Sequence, residues 1–260
     1  MNQRQMFKKY IIETNDIIFN ELSNTCQFEK MTFSRQCANI VDSTTLIPIV
    51  RTTSKYQNPL QKFQSCHYQL IDEIKRVTNN NELKFNNAMV EVYSSHYDTM
   101  KYHSDQALDL DQNSFICLFS CYQNPSDTNT RILRIKNKTT LQEQDPDRHQ
   151  NTSFHDDISL DHNSIVLFSY DTNLNYLHKI ISQTGSNDVW LGVTFRFSKT
   201  FINIVDNVPY FYPSNRVLTL ATQNERNDFY RMRGQENMNI MYEYPEINYT
   251  ISPSDLLPVS

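Results

Sequence analysis

The sequence predicts a mainly β, α+β fold: a sandwich or barrel of short strands with helices in front of it. Three observations carry this. The apolar spacing changes along the 260 residues, from near-helical before residue 79 to alternating after residue 87. Six short β-like runs separated by polar turns follow that change, the pattern of a sandwich or barrel. The 15 Tyr and 15 Phe are enough to fill one substantial core.

The elements follow in order. Met6, Tyr10, Ile11, Ile17, Ile18 and Leu22 recur at near-helical spacing, so one or two helices should open the chain, with a break at Thr14 to Asp16. The β-branched stretch 44–52 is interrupted by Pro48, which suits an edge strand or a loop. In 60–78, Leu60, Phe63, Tyr68, Ile71 and Ile74 mark an amphipathic helix that the triplet Asn79-Asn80-Asn81 should end. The β-like runs are 87–93, 114–122, 131–136, 164–170, 174–182 and 189–197. Between them, 138–152 has almost no apolar residues and reads as a mobile loop. The tail from about 207 carries five of the nine prolines and one helix near residues 224–233.

Composition excludes several functions. The three glycines, Gly185, Gly192 and Gly234, have neither the GxGxxG nor the GxxxxGK[ST] spacing, so neither a dinucleotide fingerprint nor a phosphate-binding P-loop can be built. The 28 Asn are what an AT-rich genome would produce. A net charge of -5 gives no global attraction to nucleic acid or anionic membrane, so a polyanion partner would need a local patch. No run of 18 apolar residues and no signal-peptide stretch occurs, so no membrane association is expected. Five Cys in no metal-finger spacing read as buried thiols of a reducing intracellular compartment, cytoplasm or nucleus. The chain is expected to act as a monomer.

One constellation carries chemistry. His103-Ser104-Asp105 can bring an imidazole and a carboxylate to one metal when the second sits at a strand end, and His178 lies far enough along the chain to return to them. Two His and one carboxylate on one face are the donor set of a non-haem iron site. A second pair, His155 with Asp157, has only 23 residues before His178 and is the weaker candidate. On 189–197, Thr194, Arg196 and Ser198 share the face opposite Val193, Phe195 and Phe197, so Arg196 points away from the aromatic layer. Tyr176, His178 and Ile180 share a face of the preceding strand. If both faces line one cavity, a metal-ligating histidine and a carboxylate-binding guanidinium are neighbours. The alternative for each is ordinary: partly buried histidines, a turn aspartate, a salt-bridged surface arginine.

The ordered set Tyr93, His103-Ser104-Asp105, His178 and Arg196, with the strand sequences around it, resembles the AlkB-like iron(II)/2-oxoglutarate-dependent dioxygenases over roughly residues 85–200. That resemblance implies a double-stranded β-helix, or jelly roll. N-terminal helices and a lid-like segment would occupy 1–84, the dioxygenase core 85–205 and a C-terminal extension 206–260. It further implies iron(II) held by His103, Asp105 and His178, and 2-oxoglutarate and oxygen as co-substrates. Arg196 would pair with the distal carboxylate of 2-oxoglutarate, and Tyr93 would hydrogen-bond the co-substrate.

Three positions depart from the family pattern: Glu91 stands where an asparagine usually helps hold 2-oxoglutarate, Ala107 where an acidic residue reads the base, and Ile202 where a second arginine is usual. A carboxylate at 91 facing the co-substrate's carboxylate is unfavourable unless protonated or turned to a cation. Arg134, Lys136 and Lys138 would share a strand face as candidate nucleic-acid contacts near the barrel mouth, and a solvated face accounts for them equally. The favoured reading is oxidative demethylation of alkylated DNA or RNA bases. The same chemistry on a protein side chain or small molecule, and a non-enzymatic binding protein keeping the fold, are the alternatives.

Overall fold

The computed structural model describes residues 6–14, 17–97, 100–125, 131–138, 156–182 and 188–260. The chain opens with strand β1 (Lys8–Ile11), helix α1 (Ile18–Thr25), and strands β2 (Glu29–Thr32), β3 (Arg35–Val41), β4 (Ile47–Pro48) and β5 (Gln61–Lys62). Helix α2 (Ser65–Thr78) precedes β6 (Asn87–Tyr93), β7 (Phe115–Tyr122), β8 (Arg131–Asn137), β9 (Asp156–Leu160) and β10 (Ser164–Ser169). Helix α3 (Tyr170–Asn175) leads into β11 (Tyr176–Ser182), then β12 (Trp190–Arg196), β13 (Phe201–Val205), β14 (Val208–Tyr212) and β15 (Thr219–Leu220). Helix α4 (Gln223–Met238) and strand β16 (Tyr249–Thr250) lie near the end.

The strands form two facing sheets. The large one runs β1-β10-β7-β12-β6-β3-β2, with β5 beside β3, and the smaller one runs β11-β8-β9. Period-2 alternation gives each central strand two apolar faces. Val193 and Phe195 of β12, Phe119 of β7 and Val90 of β6 meet Leu22 of α1 and Leu70, Ile71 and Ile74 of α2 in one core. Trp190, Leu118 and Tyr93 face Leu133, Ile135 and Ile180 of the smaller sheet in another. Each of the buried aliphatic side chains that α2 contributes is worth about 1.5–3 kcal/mol of transfer free energy. Helices therefore cover one face of the large sheet and a second sheet covers the other, which makes a jelly roll. The interior between the sheets is where the site lies.

Several elements differ from the sequence reading. Residues 8–11 are not helical: β1 pairs antiparallel with β10, Tyr10 opposite Ile165, because the edge of β10 offers a whole row of backbone partners. The hairpin of β2 and β3 lacks a clean alternation and escapes detection; it joins the large sheet through β6, with Arg35 opposite Tyr93. Pro48 confines the 44–52 stretch to a two-residue contact with β13. Residues 170–175 are helical, capped by Ser169, whose hydroxyl accepts from the Thr172 amide, so the strand begins only at Tyr176. Helix α2 ends as expected, with Asn79 in the left-handed region at φ 50°. The loop read over 138–152 falls, from 139 onwards, outside the described residues, as do His155 and Gly185. The five thiols are buried and unpaired. Among the described residues no helix is long and apolar enough to cross a membrane.

Two glycines have opposite meanings. A Cβ on Gly192 would lie 2.0 Å from the Trp190 ring, which folds over it inside the barrel, whereas a Cβ on Gly234 in exposed α4 would meet nothing within 4 Å. Gly192→Ala should therefore cost about 1–3 kcal/mol in urea unfolding through overpacking, and Gly234→Ala should gain about 0.5–1 kcal/mol through helix propensity. A neutral Gly192→Ala would refute this account of the barrel interior.

Candidate metal centre and its cavity

The site is assembled where the segment after β6 crosses the open end of the barrel. His103 and His178 bind each other through reciprocal backbone hydrogen bonds, His103 N to His178 O at 3.0 Å and the reverse at 2.7 Å. Asp105 is fixed in the same way by Asn173 of α3, whose side-chain oxygen accepts from the Asp105 amide and whose side-chain nitrogen donates to its carbonyl, both at 2.7 Å. These bonds place the three side chains together: one ligand atom from each of His103, Asp105 and His178 lies within 4.8 Å of the others. His155 of the competing pair is outside the described residues.

The protonation states suit a cation. A carbonyl can only accept, so the 2.9 Å contact between His103 Nδ1 and the Lys101 carbonyl puts the proton on Nδ1 and leaves the lone pair on Nε2. His178 Nε2 lies 3.7 Å from Asp105 Oδ1. Burial, reinforced by the neighbouring His103, pushes His178 down to about 3, and burial with Arg233 lowers His103 as well. Both imidazoles are neutral at neutral pH, the form that binds metal. Burial opposes ionisation of Asp105, but Arg196 overcomes it and, aided by His178, holds the carboxyl well below the usual range. Arg196 Nε donates to Asp105 Oδ2 at 2.7 Å, which leaves Oδ1 facing His178.

His178 meets Arg196 only on a small inner space, whereas Arg196 and His103 share a larger cavity. Its volume is about 430 Å³, and Arg35, Glu91, Met89, His103, Asp105 and Arg196 stand on its wall. Behind the ligands, Leu118, Leu133, Phe168 and Ile180 enclose a further 40 Å³. The lid-like stretch contributes Thr52, Thr53, Ser54 and Tyr56 to the wall.

Tyr93 is placed differently. It is fully buried below the cavity floor, its ring 4.8 Å from Trp190 and 4.1 Å from Tyr97, with the Arg131 guanidinium 5.3 Å from its centroid. Glu91 does enter the cavity, and it is turned to a cation: Arg35 reaches its Oε1 from Nε at 2.8 Å and from Nη2 at 2.6 Å. The basic stripe is also revised. Lys138 is 1% exposed and donates to the Glu236 carbonyl at 2.9 Å, because the strand ends at Asn137 and the next side chain turns inward. Arg134 is forked onto Asp157. Lys136 instead joins Lys179 over the ring of Tyr102, at 4.2 and 4.7 Å from its centroid.

Helix α4 supplies what the sequence hid. Asn237 Oδ1 accepts from the Ser104 amide and hydroxyl at 3.2 and 3.3 Å, Glu236 Oε1 accepts from the Ala107 amide at 2.7 Å, and Arg233 reaches the Ser104 carbonyl and Glu236. The last turn of α4 thus clamps residues 104–107 from outside. No local signal in the sequence marks Glu236 or Asn237 as partners of residues 104–107.

A model of the 2OG-Fe(II) oxygenase superfamily matches residues 5–196. No curated protein matches the sequence significantly. Among solved structures, one of OsALKBH1 superposes with a TM-score of 0.50 at 11% identity, covering 74% of this chain and 98% of that one. A Pseudomonas putida prolyl-4-hydroxylase gives a TM-score of 0.40 at 12% identity, with 74% and 93% covered. At 11% identity the likeness to OsALKBH1 is one of fold.

The Asp105–Arg196 contact is a buried ion pair, and removing one partner leaves the other charge uncompensated. Arg196→Ala should lower the stability of the metal-free protein by about 3–5 kcal/mol, while Asp105→Asn combined with Arg196→Gln should recover most of the loss. Urea denaturation checks this; a single variant no less stable than the double would refute the pairing.

Proposed function

Because this chain belongs to the 2OG-Fe(II) oxygenase superfamily, a family of dioxygenases that use iron(II), 2-oxoglutarate and oxygen, we propose that His103, Asp105 and His178 hold its iron and that its substrate is an alkylated nucleic-acid base. The donor set fits the metal: two neutral imidazoles and one ionised carboxylate, buried, with ligand atoms already gathered. Loaded with iron and both co-substrates, such a centre oxidises a substrate C–H bond while 2-oxoglutarate becomes succinate and carbon dioxide. On an N-methyl group the hydroxylated product breaks down to formaldehyde and the free base.

The chain's own residues have separate tasks. Arg196 holds Asp105 Oδ2, so that carboxylate is left one oxygen for the metal. The edge of the guanidinium that faces the cavity offers positive charge to a carboxylate bound beside the metal. Leu118, Leu133, Phe168 and Ile180 give the space behind the ligands an apolar wall.

One observation favours nucleic acid. Tyr102, the residue before His103, stands at the cavity wall with the ammonium groups of Lys136 and Lys179 over its ring, and Lys101 is exposed beside it. An aromatic ringed by lysines at the mouth of a cavity suits a phosphate backbone whose target base has been swung out of the stack. This patch takes the place of the stripe read from Arg134, Lys136 and Lys138. A second reading, the same chemistry on a protein side chain or small molecule, is favoured by Ala107 and Ile202. Ala107 is buried with its amide on Glu236, and Ile202 lies wholly within a core cluster beside Ile49, so neither position reads a base.

The test is incubation with iron(II), 2-oxoglutarate, oxygen and N-methylated oligonucleotides. Formaldehyde release is expected, abolished by His178→Ala, and Lys136→Ala with Lys179→Ala should raise KM for the oligonucleotide by roughly tenfold at 0.1 M salt, with a shallower salt dependence and little change in kcat. Succinate formed only with a peptide or small-molecule substrate would favour the second reading over the first.

A further inference from the structure

The wall of the cavity carries more charge than the metal centre uses. Arg196 is committed through Nε to Asp105, so whatever it binds lies against the metal ligands. A five-carbon diacid that meets the metal with one end carries its other carboxylate roughly 5 Å further on. Among the described residues, the remaining cations on this wall are Arg35, Lys101 and Arg233. Lys101 is exposed, and Arg233 is spent on Glu236 and the Ser104 carbonyl. Arg35 projects from β3, two strands from β12 and six residues along from the level of Arg196, by the pairings of Arg35 with Tyr93 and of Val41 and Arg196 with Asn87.

Arg35 has donors to spare. A guanidinium carries five N–H groups, and the two contacts seen, from Nε and Nη2, both go to one oxygen of Glu91. Glu91 fixes the plane of the fork and the remaining edge has room for a second carboxylate, an arrangement that arginine allows and lysine does not. The charge balance agrees. Arg35 and Arg196 are matched by Glu91 and Asp105, so these four groups leave no charge over for a dianion, which a divalent metal would supply.

We infer that Arg35 anchors the distal carboxylate of 2-oxoglutarate, with Glu91 as its positioning residue, and that Arg196 serves the metal end instead. This rests on the superfamily reading of the site and reassigns the co-substrate's far end within it. Glu91, the departure that seemed to oppose co-substrate binding, becomes the group that aims its anchor and tempers its charge.

Calorimetric titration of the full chain loaded with Mn(II) tests this, using 2-oxoglutarate and 2-oxopentanoate, which has a methyl group in place of the distal carboxylate. The parent protein should prefer 2-oxoglutarate by at least thirtyfold. Arg35→Gln with Glu91→Gln, which removes both charges so that neither is left buried and unpaired, should bring the two ligands within about threefold and leave Mn(II) affinity unchanged. Glu91→Gln alone should tighten 2-oxoglutarate several-fold and leave 2-oxopentanoate as it was. A double variant that keeps the parent's preference, or Glu91→Gln that weakens 2-oxoglutarate, would overturn the role of Arg35 while leaving the dioxygenase reading intact. A parent that binds Mn(II) but neither ligand would sink both.

Discussion

The contact on which the rest of the structure depends is the buried pair of Asp105 and Arg196. Asp105 belongs to an irregular segment with no regular hydrogen-bond ladder of its own, and Arg196 is the last residue of the central strand of the large sheet. Joining them ties that segment to the fully buried central strand of the large sheet. The reciprocal backbone bonds of His103 with His178 and the side-chain bonds of Asn173 hold the same segment at His103 and Asp105. A buried ion pair is weak evidence of added stability, since desolvation offsets most of the attraction. Its value here is geometric: the carboxylate is kept ionised and aimed at His178.

The C-terminal part of the chain extends this logic. Superfamily similarity ends at residue 196, yet α4 at 223–238 supplies the acceptors for the amides of Ser104 and Ala107. Glu236 is the hub: it receives Arg233 and Tyr244 on its carboxylate and Lys138 on its carbonyl. Residues far apart in sequence thus hold one four-residue segment from both sides, the barrel from within and the helix from without.

Much of this was legible in the sequence, and the reasons it was or was not are physical. Strands β6, β7, β10 and β12 announce themselves because each is a short run rich in β-branched, aromatic and other apolar residues, buried on both faces and bounded by polar turns. The order of His103, Asp105, His178 and Arg196 is readable because metal chemistry restricts residue types, and alternation alone put Arg196 on the cavity face. Strand β1 was misread because four residues sample helical and extended periods equally well, and the decision lay with an edge 150 residues away. Lys138 was misread because alternation was carried one residue past the end of its strand. Tyr93 was put in the right layer but at the wrong depth, since only Trp190 folding over Gly192 raises a floor above it. Arg35 and Glu236 carry no local mark at all: their meaning is a matter of what faces them.

That floor has a consequence of another kind. Trp190 is the chain's one tryptophan, fully shielded and packed on Tyr93. Excited at the red edge of the absorption band, where the 15 Tyr scarcely absorb, the protein therefore emits from a single ring beneath the cavity, on the same strand as Arg196. Nature has in effect placed the fluorophore where a biophysicist would have engineered one, so the barrel interior can be watched optically without attaching a label.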